Sequence, residues 1–242
     1  MPNEVFPGKI VASRSMCYCC FDTLIDALQR TSTSTSVSNV HGRSRNKFDN
    51  SLSDDSVQCP IFVSWEKCNN ASSWQLRGCI GSLSPRLLAS AVAEYAIISA
   101  FRDRRFKPVT ISEVRSLRVS VSLLVDYEEC NDVYDWTIGV HGILIKFIVN
   151  CQHYDATFLP EVAKQQRWNQ QKTISSLILK AGYNATITQE LLTSIDCTRY
   201  QSSKCLSTYT EYVNDICKGI DPINIPPSNE KVATSRPWSF RN

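Results

Sequence analysis

The chain has 242 residues, 43% of them hydrophobic, enough for one sizeable core and a smaller subdomain. A net charge of +3 is too small to point to nucleic acid or an anionic membrane surface, and no apolar run approaches the roughly 20 residues of a membrane span. Met1 to Ile10 lacks the charged region and apolar block of a secretory leader. The chain therefore reads as intracellular, cytoplasmic or nuclear, and its eleven cysteines as mostly free thiols that pack like small apolar side chains.

After an N-terminal segment, 1–15, the first element is a helix over Met16 to Arg30, with Cys20, Leu24, Ala27 and Leu28 at helical spacing. Thr31 to Ser56 is rich in serine and threonine and has no regular apolar period, so it reads as a disordered insertion. Ile61 to Glu66 alternates as a strand, and after a polar turn, Asn69 to Ser73, Leu76 to Leu83 returns as its hairpin partner. Ser84-Pro85 reads as the start of a helix carrying Leu88, Ala91, Val92, Tyr95, Ile98 and Phe101 on one face. It ends in the basic run Arg102 to Arg105, whose charge suits the negative end of a helix dipole.

Leu117 to Val125 is the clearest alternating strand, and Ile143 to Val149 is a second, entered through Gly139-Val140-His141-Gly142. A short strand, Thr157 to Leu159, leads to a helix from Pro160 to about Gln166. Thr173 to Lys180 is a helix stopped at Gly182, and Ile195 to Gln201 a final strand. One domain over 16–212 with a flexible tail over 213–242 follows. Its fold class is α+β, a mainly antiparallel sheet flanked by helices with a smaller subdomain.

Phosphate loops, dinucleotide fingerprints, nucleophile elbows and paired metalloprotease histidines are all missing. Cys17-Tyr18-Cys19-Cys20 has a C-x-x-C spacing but no second pair to complete a zinc site, so no metal is assigned. The informative stretch is Leu76-Arg77-Gly78-Cys79-Ile80-Gly81. Strict alternation puts Leu76, Gly78 and Ile80 on the core face and Arg77, Cys79 and Gly81 on the other. A guanidinium beside a thiol favours the thiolate, and His141, between glycines, is the candidate partner for Cys79. Cys79 and His141 are thus the catalytic candidates, and Arg77, Gly78, Cys79, Ile80, Gly81 and Arg105 the binding candidates. The bland alternative is a small packed cysteine beside a surface arginine.

Taken together, Leu76 to Gly81, Asp103-x-Arg105-Phe106-x-Pro108, Val119 to Leu124, Trp136 to Gly142, Leu159 to Ala163 and Thr198-Arg199-Tyr200 resemble the AMMECR family, named for the Alport syndrome, midface hypoplasia and elliptocytosis chromosomal region. The match spans roughly Met16 to Tyr212 and suggests an animal-type member. The resemblance implies an α+β domain with a larger sheet-containing part and a smaller one. Some prokaryotic relatives are fused to Memo-type and radical S-adenosylmethionine domains, and the family has no assigned activity. Two features depart from the pattern: the long insertion, and Arg167 where glycine is expected before Trp168.

Two functions follow as expectations. One is a small-molecule or modification site on the strand of Arg77 and Cys79. The other is a non-catalytic regulatory or scaffold protein that docks a protein partner. Nucleic-acid binding through Arg102 to Lys107 ranks below both, no membrane partner is expected, and cofactor and oligomeric state stay open.

Overall fold

The computed structural model describes residues 10–32, 56–69 and 73–223. Most of the expected insertion, the tip of the first hairpin and residues 224–242 of the expected tail lie outside the described residues. Helix α1 (Arg14–Ser32) precedes strands β1 (Gln58–Asn69) and β2 (Ser73–Leu87), then helix α2 (Leu88–Phe101) and a 3-10 turn (Ile111–Ser116). Strands β3 (Leu117–Glu129), β4 (Gly142–Val149) and β5 (Gln152–Phe158) follow. Short helices α3 (Pro160–Gln166), α4 (Gln170–Lys180) and α5 (Gln189–Ser194) lead to β6 (Asp196–Thr208) and α6 (Tyr209–Asp215). The strands form one antiparallel sheet in the order β2-β1-β3-β6-β4-β5. Among the described residues no helix is long and apolar enough to cross a membrane.

Alternation decides what the sheet buries. Ile61, Val63 and Trp65 of β1 and Val119, Val121 and Leu123 of β3 pack with α1 and α2 in the larger core. Phe62, Ser64, Ser120 and Ser122 take the opposite face of the same two strands. Ile143, Ile145 and Phe147 of β4 pack with Ile174, Leu177 and Ile178 of α4 in a second, smaller core. Strand β6 serves both, with Cys197 in the smaller core and Cys205 against the larger one. The α+β class and the smaller subdomain follow directly from this division. Cys17 and Cys20 are buried in α1, and burial pushes both thiols up, which suits packing.

The expected helix start at Ser84-Pro85 is corrected. Strand β2 continues to Leu87, where Gln58 pairs with Leu87 and Cys59 with Arg86. Between Cys59 and Ile61 the register slips and leaves Leu83, Ser84 and Pro85 in a bulge, a place that tolerates the missing proline N–H. Helix α2 then buries Ala96, Ser99 and Ala100 rather than Ile98. Strand β5 starts earlier than expected, because Asn150 and Cys151 (φ 50° and 62°) make a two-residue hairpin turn. Helices α5 and α6 have too few apolar positions to announce themselves. Part of the expected tail is packed: Val213, Cys217 and Ile223 touch the larger core, and Tyr209 donates to Asp221 at 2.6 Å.

Arg167, flagged where the family pattern expects glycine, caps α3 in the left-handed conformation (φ 55°, ψ 37°). A Cβ makes that conformation costly by about 1 kcal/mol. Arg167→Gly should therefore raise the melting temperature by about 2–4 °C. Thermal unfolding of the two proteins checks this, and a lower melting temperature would mean that the Arg167 side chain makes a stabilising contact.

Candidate functional site

The Leu76 to Gly81 stretch is not a simple alternating strand. Trp65 pairs with Gly78 but Glu66 with Leu76, so Arg77 is an extra residue in a bulge. The bulge turns Leu76 outward, where it is exposed, and corrects the expected face assignment. It also separates Arg77 from Cys79. The Arg77 guanidinium reaches both oxygens of Glu113 at 3.0 and 3.1 Å and the carbonyls of Lys107 and Pro108 at 2.7 and 3.2 Å. Lys67 also donates to Glu113, at 3.0 Å. Burial raises the Glu113 carboxyl, but hydrogen bonds from Arg77, the Thr110 amide and Lys67 outweigh it and hold the pKa at about 2.

Cys79 faces away from that cluster, and its thiol accepts a hydrogen bond from Ser64 at 3.0 Å. Its backbone lies on the open edge of the sheet. There Asp103 accepts from the Cys79 N–H at 2.9 Å and Arg105 donates to the Cys79 carbonyl at 3.2 Å, so the two side chains stand in for a neighbouring strand. Arg105 also holds Asp103 at 2.7 and 2.9 Å. Its bonds, stronger than the opposing effect of burial, keep the Asp103 carboxyl well below the usual carboxylate range. Within the basic run after α2, Arg105 is thus engaged in this edge clamp.

The two glycines have separate purposes. A Cβ on Gly78 would lie 2.0 Å from the Ser99 carbonyl oxygen, so α2 can rest on β2 only where there is no side chain. A Cβ on Gly81 would meet the Phe62 ring at 2.4 Å and the Ile61 carbonyl oxygen at 2.3 Å. Ile80 packs against the larger core from the same side as Gly78.

His141 is remote from this strand. It precedes β4, which lies across β1, β3 and β6 from β2, and the row of the adjoining Gly142 passes through Tyr200, whereas the row of Cys79 passes through Leu206. That is a displacement of about 20 Å along β6 alone. His141 Nδ1 instead accepts from the Thr137 amide at 3.0 Å, closing the turn before β4. The structure does not bring the two catalytic candidates together.

What it does build is a cleft of about 740 Å³ at the other end of the β1–β3 pair. Pro60, Leu83, Pro85 and Leu124 form apolar walls, and Tyr127 and Tyr200 supply aromatic rings. The β3–β6 register slips between Val125 and Glu128, with Asp126 in the left-handed conformation (φ 54°). This bulge lays Tyr127 over Tyr200, with ring centroids 5.1 Å apart and planes at 24°. Tyr200 rests on Gly142, where a Cβ would lie 2.4 Å from the ring, and its hydroxyl donates to the Phe158 carbonyl at 3.1 Å and contacts Thr157 at 2.8 Å. Burial pushes the Tyr127 phenol up to about 12 and the lining Cys59 thiol up to about 11, so both are neutral near pH 7.

Of these residues, Tyr200, Gly142 and Leu124 belong to the stretches that carry the family resemblance. Tyr127, Leu83 and Pro85 gave no signal of their own, because two bulges bring them to the cleft. Arg199, beside Tyr200, is tied to Glu128 at 2.8 Å and Asp135 at 2.7 Å, which anchors the turn leading to β4.

A solved structure of an uncharacterised protein, PH0010 from Pyrococcus horikoshii, shares the fold. The TM-score is 0.59 at 20% identity, covering 83% of this chain and 95% of that one. An uncharacterised protein of Arabidopsis thaliana is 38% identical over 85% of this chain and 89% of its own length. One of Schizosaccharomyces pombe is 36% identical over 84% and 96%. These relatives come from a plant, a yeast and an archaeon, and they lend no support to an animal-type assignment. The AMMECR1 family model matches residues 17–205, across both cores and every strand of the sheet, and the chain belongs to the AMMECR1 family.

Proposed function

We propose that this protein binds a small, flat, largely apolar molecule in the cleft between Leu83 and the Tyr127–Tyr200 pair. The observation that carries the reading is the cleft itself. Its volume of about 740 Å³ suits a small organic ligand, its walls are mostly apolar, and a stacked tyrosine pair offers a planar surface. The thiol and phenols of the lining favour binding over reaction, since burial raises Cys59, Tyr127 and Tyr200 toward their neutral, weakly nucleophilic forms. Cys79, Arg77, Asp103 and Arg105 then act as a structural clamp that fixes β2, the strand carrying Leu83 and Pro85. A non-catalytic role, as a sensor or carrier of such a ligand, follows from this division of labour.

Titration with the neutral fluorophore N-phenyl-1-naphthylamine tests the reading. Saturable one-to-one fluorescence enhancement is expected in the wild type, unchanged from pH 6 to 9 because the phenols stay neutral. Tyr127→Ala should weaken it about tenfold, the equivalent of about 1.4 kcal/mol from a lost aromatic contact. Enhancement that fails to saturate, or that Tyr127→Ala leaves intact, counts against a ligand site in the cleft.

A further inference from the structure

Beyond the cleft, the β3–β6 seam carries a second chemical feature three residues further along both strands. The ladder pairs Glu128 with Arg199 and Glu129 with Thr198, and it extends one step to Cys130 and Cys197, where the Cys130 amide donates to the Cys197 carbonyl at 2.9 Å. Residues facing each other across an antiparallel pair have Cα atoms about 5.5 Å apart, inside the roughly 4.4–6.8 Å that a disulfide spans. Their side chains emerge on the same face, and each thiol bears on the other's ionisation.

We propose that Cys130 and Cys197 form a reversible redox pair, closed to a disulfide by hydrogen peroxide and opened by thiols. Cys130 is the attacking sulfur. It is only half-buried, whereas Cys197 is 6% exposed. Burial, with the Asp135 carboxylate in support, leaves the Cys130 thiol raised, and the Cys197 thiol, the Arg199 guanidinium and the Arg199 amide offset part of that rise. Cys197 has no such help: burial and its acidic neighbours hold it protonated.

The steps balance. The Cys130 thiolate attacks one peroxide oxygen, the O–O bond breaks, and the departing hydroxide takes a proton to leave as water, giving a sulfenic acid. The Cys197 sulfur, losing its proton, then attacks the Cys130 sulfur. The S–S bond forms and the sulfenic oxygen leaves as a second water. Two thiols are oxidised by two electrons and one peroxide is reduced to two waters.

The test uses the full chain, exposed to hydrogen peroxide, capped with iodoacetamide and digested with trypsin. Cleavage after Arg118 and Lys146 isolates Cys130, and cleavage after Lys180 and Arg199 isolates Cys197, so a bridge joins two otherwise separate peptides. The expected result is that cross-linked species, two hydrogens lighter than the sum of its parts, lost on dithiothreitol treatment and missing in Cys130→Ser. A long closed loop should also raise the melting temperature of the oxidised wild type by several degrees, reversibly. Cys130 recovered alkylated or as sulfinic acid with Cys197 free, or bridged to another cysteine, overturns the proposal. Neither result depends on the cleft binding a ligand.

Discussion

Gly78→Ala is expected to lower stability by about 4 kcal/mol or more, among the largest effects of a single methyl group in a protein. The new Cβ would lie 2.0 Å from the Ser99 carbonyl oxygen and 3.1 Å from its carbon. Both belong to the backbone of α2, so no side-chain rotation relieves the clash and the helix as a whole must lift. Lifting α2 withdraws Ala96 and Ala100 from the larger core and stretches the bond from Trp65 Nε1 to the Ala96 carbonyl, 3.0 Å long. With folded domains stable by only about 5–15 kcal/mol, the variant should melt roughly 10 °C below wild type or fail to accumulate. Urea unfolding of the two proteins gives the number, and a difference under 1 kcal/mol would mean that the helix–strand approach is looser than described.

Glu113→Gln carries the second large effect. Arg77 and Lys67 converge on this carboxylate, and the Arg77 side chain is 13% exposed. Removing the negative charge leaves a nearly buried guanidinium facing a neutral amide beside an ammonium, at an expected cost of about 3 kcal/mol at pH 7. The same carboxyl predicts a pH signature. Its folded pKa of about 2 lies below the unfolded value of about 4.3, so its stabilisation is complete above the unfolded pKa and lost as pH falls through the folded one. Wild-type stability should drop between about pH 4.5 and pH 2, with Asp103 contributing in the same direction. Glu113→Gln should show a shallower decline and approach the wild-type value near pH 2. Urea unfolding at pH 7, 4 and 2.5 measures both curves, and parallel curves would show that Glu113 does not titrate as its partners require.

The interplay of these residues explains why two stretches distant in sequence carry the family resemblance together. Asp103 and Arg105 bind the backbone of Cys79, while the Lys107 and Pro108 carbonyls and the nearby Glu113 bind Arg77. Each stretch is the other's binding partner. An edge strand otherwise offers unpaired N–H and C=O groups to other chains, and here two charged side chains close one such position.

Periodicity made β1, β3, β4 and the α1 and α4 faces legible, because each buries one side against a core. It failed wherever the backbone inserts a residue. The bulge at Arg77 turns Leu76 out of the core face of β2, the bulge at Pro85 turns an apparent helix start into strand, and the bulge at Asp126 and Tyr127 creates the aromatic wall of the cleft. No local composition distinguishes these bulges from regular strand. The second half of β6 and the start of β5 are polar enough to read as loop. Cys79 and His141 drew attention as reactive residue types, but chemistry needs proximity, and only the strand order shows that they lie apart. Tyr200 was visible as part of a motif, while its partner Tyr127 depends on pairing with a strand distant in sequence.

The proposed division of labour gives ligand binding to the cleft and leaves Cys79 and its neighbours to hold the strand in place. The most direct measurement is titration of N-phenyl-1-naphthylamine against two folded variants side by side, Leu83→Asp and Cys79→Ser. Leu83 is 48% exposed at the rim, so a charge there leaves the fold intact and puts a carboxylate against the ligand. Leu83→Asp should weaken binding at least about tenfold, the equivalent of about 1.4 kcal/mol, while Cys79→Ser binds within about twofold of wild type. Loss of binding in Cys79→Ser with Leu83→Asp unaffected would contradict the claim and return the site to the strand carrying Arg77 and Cys79.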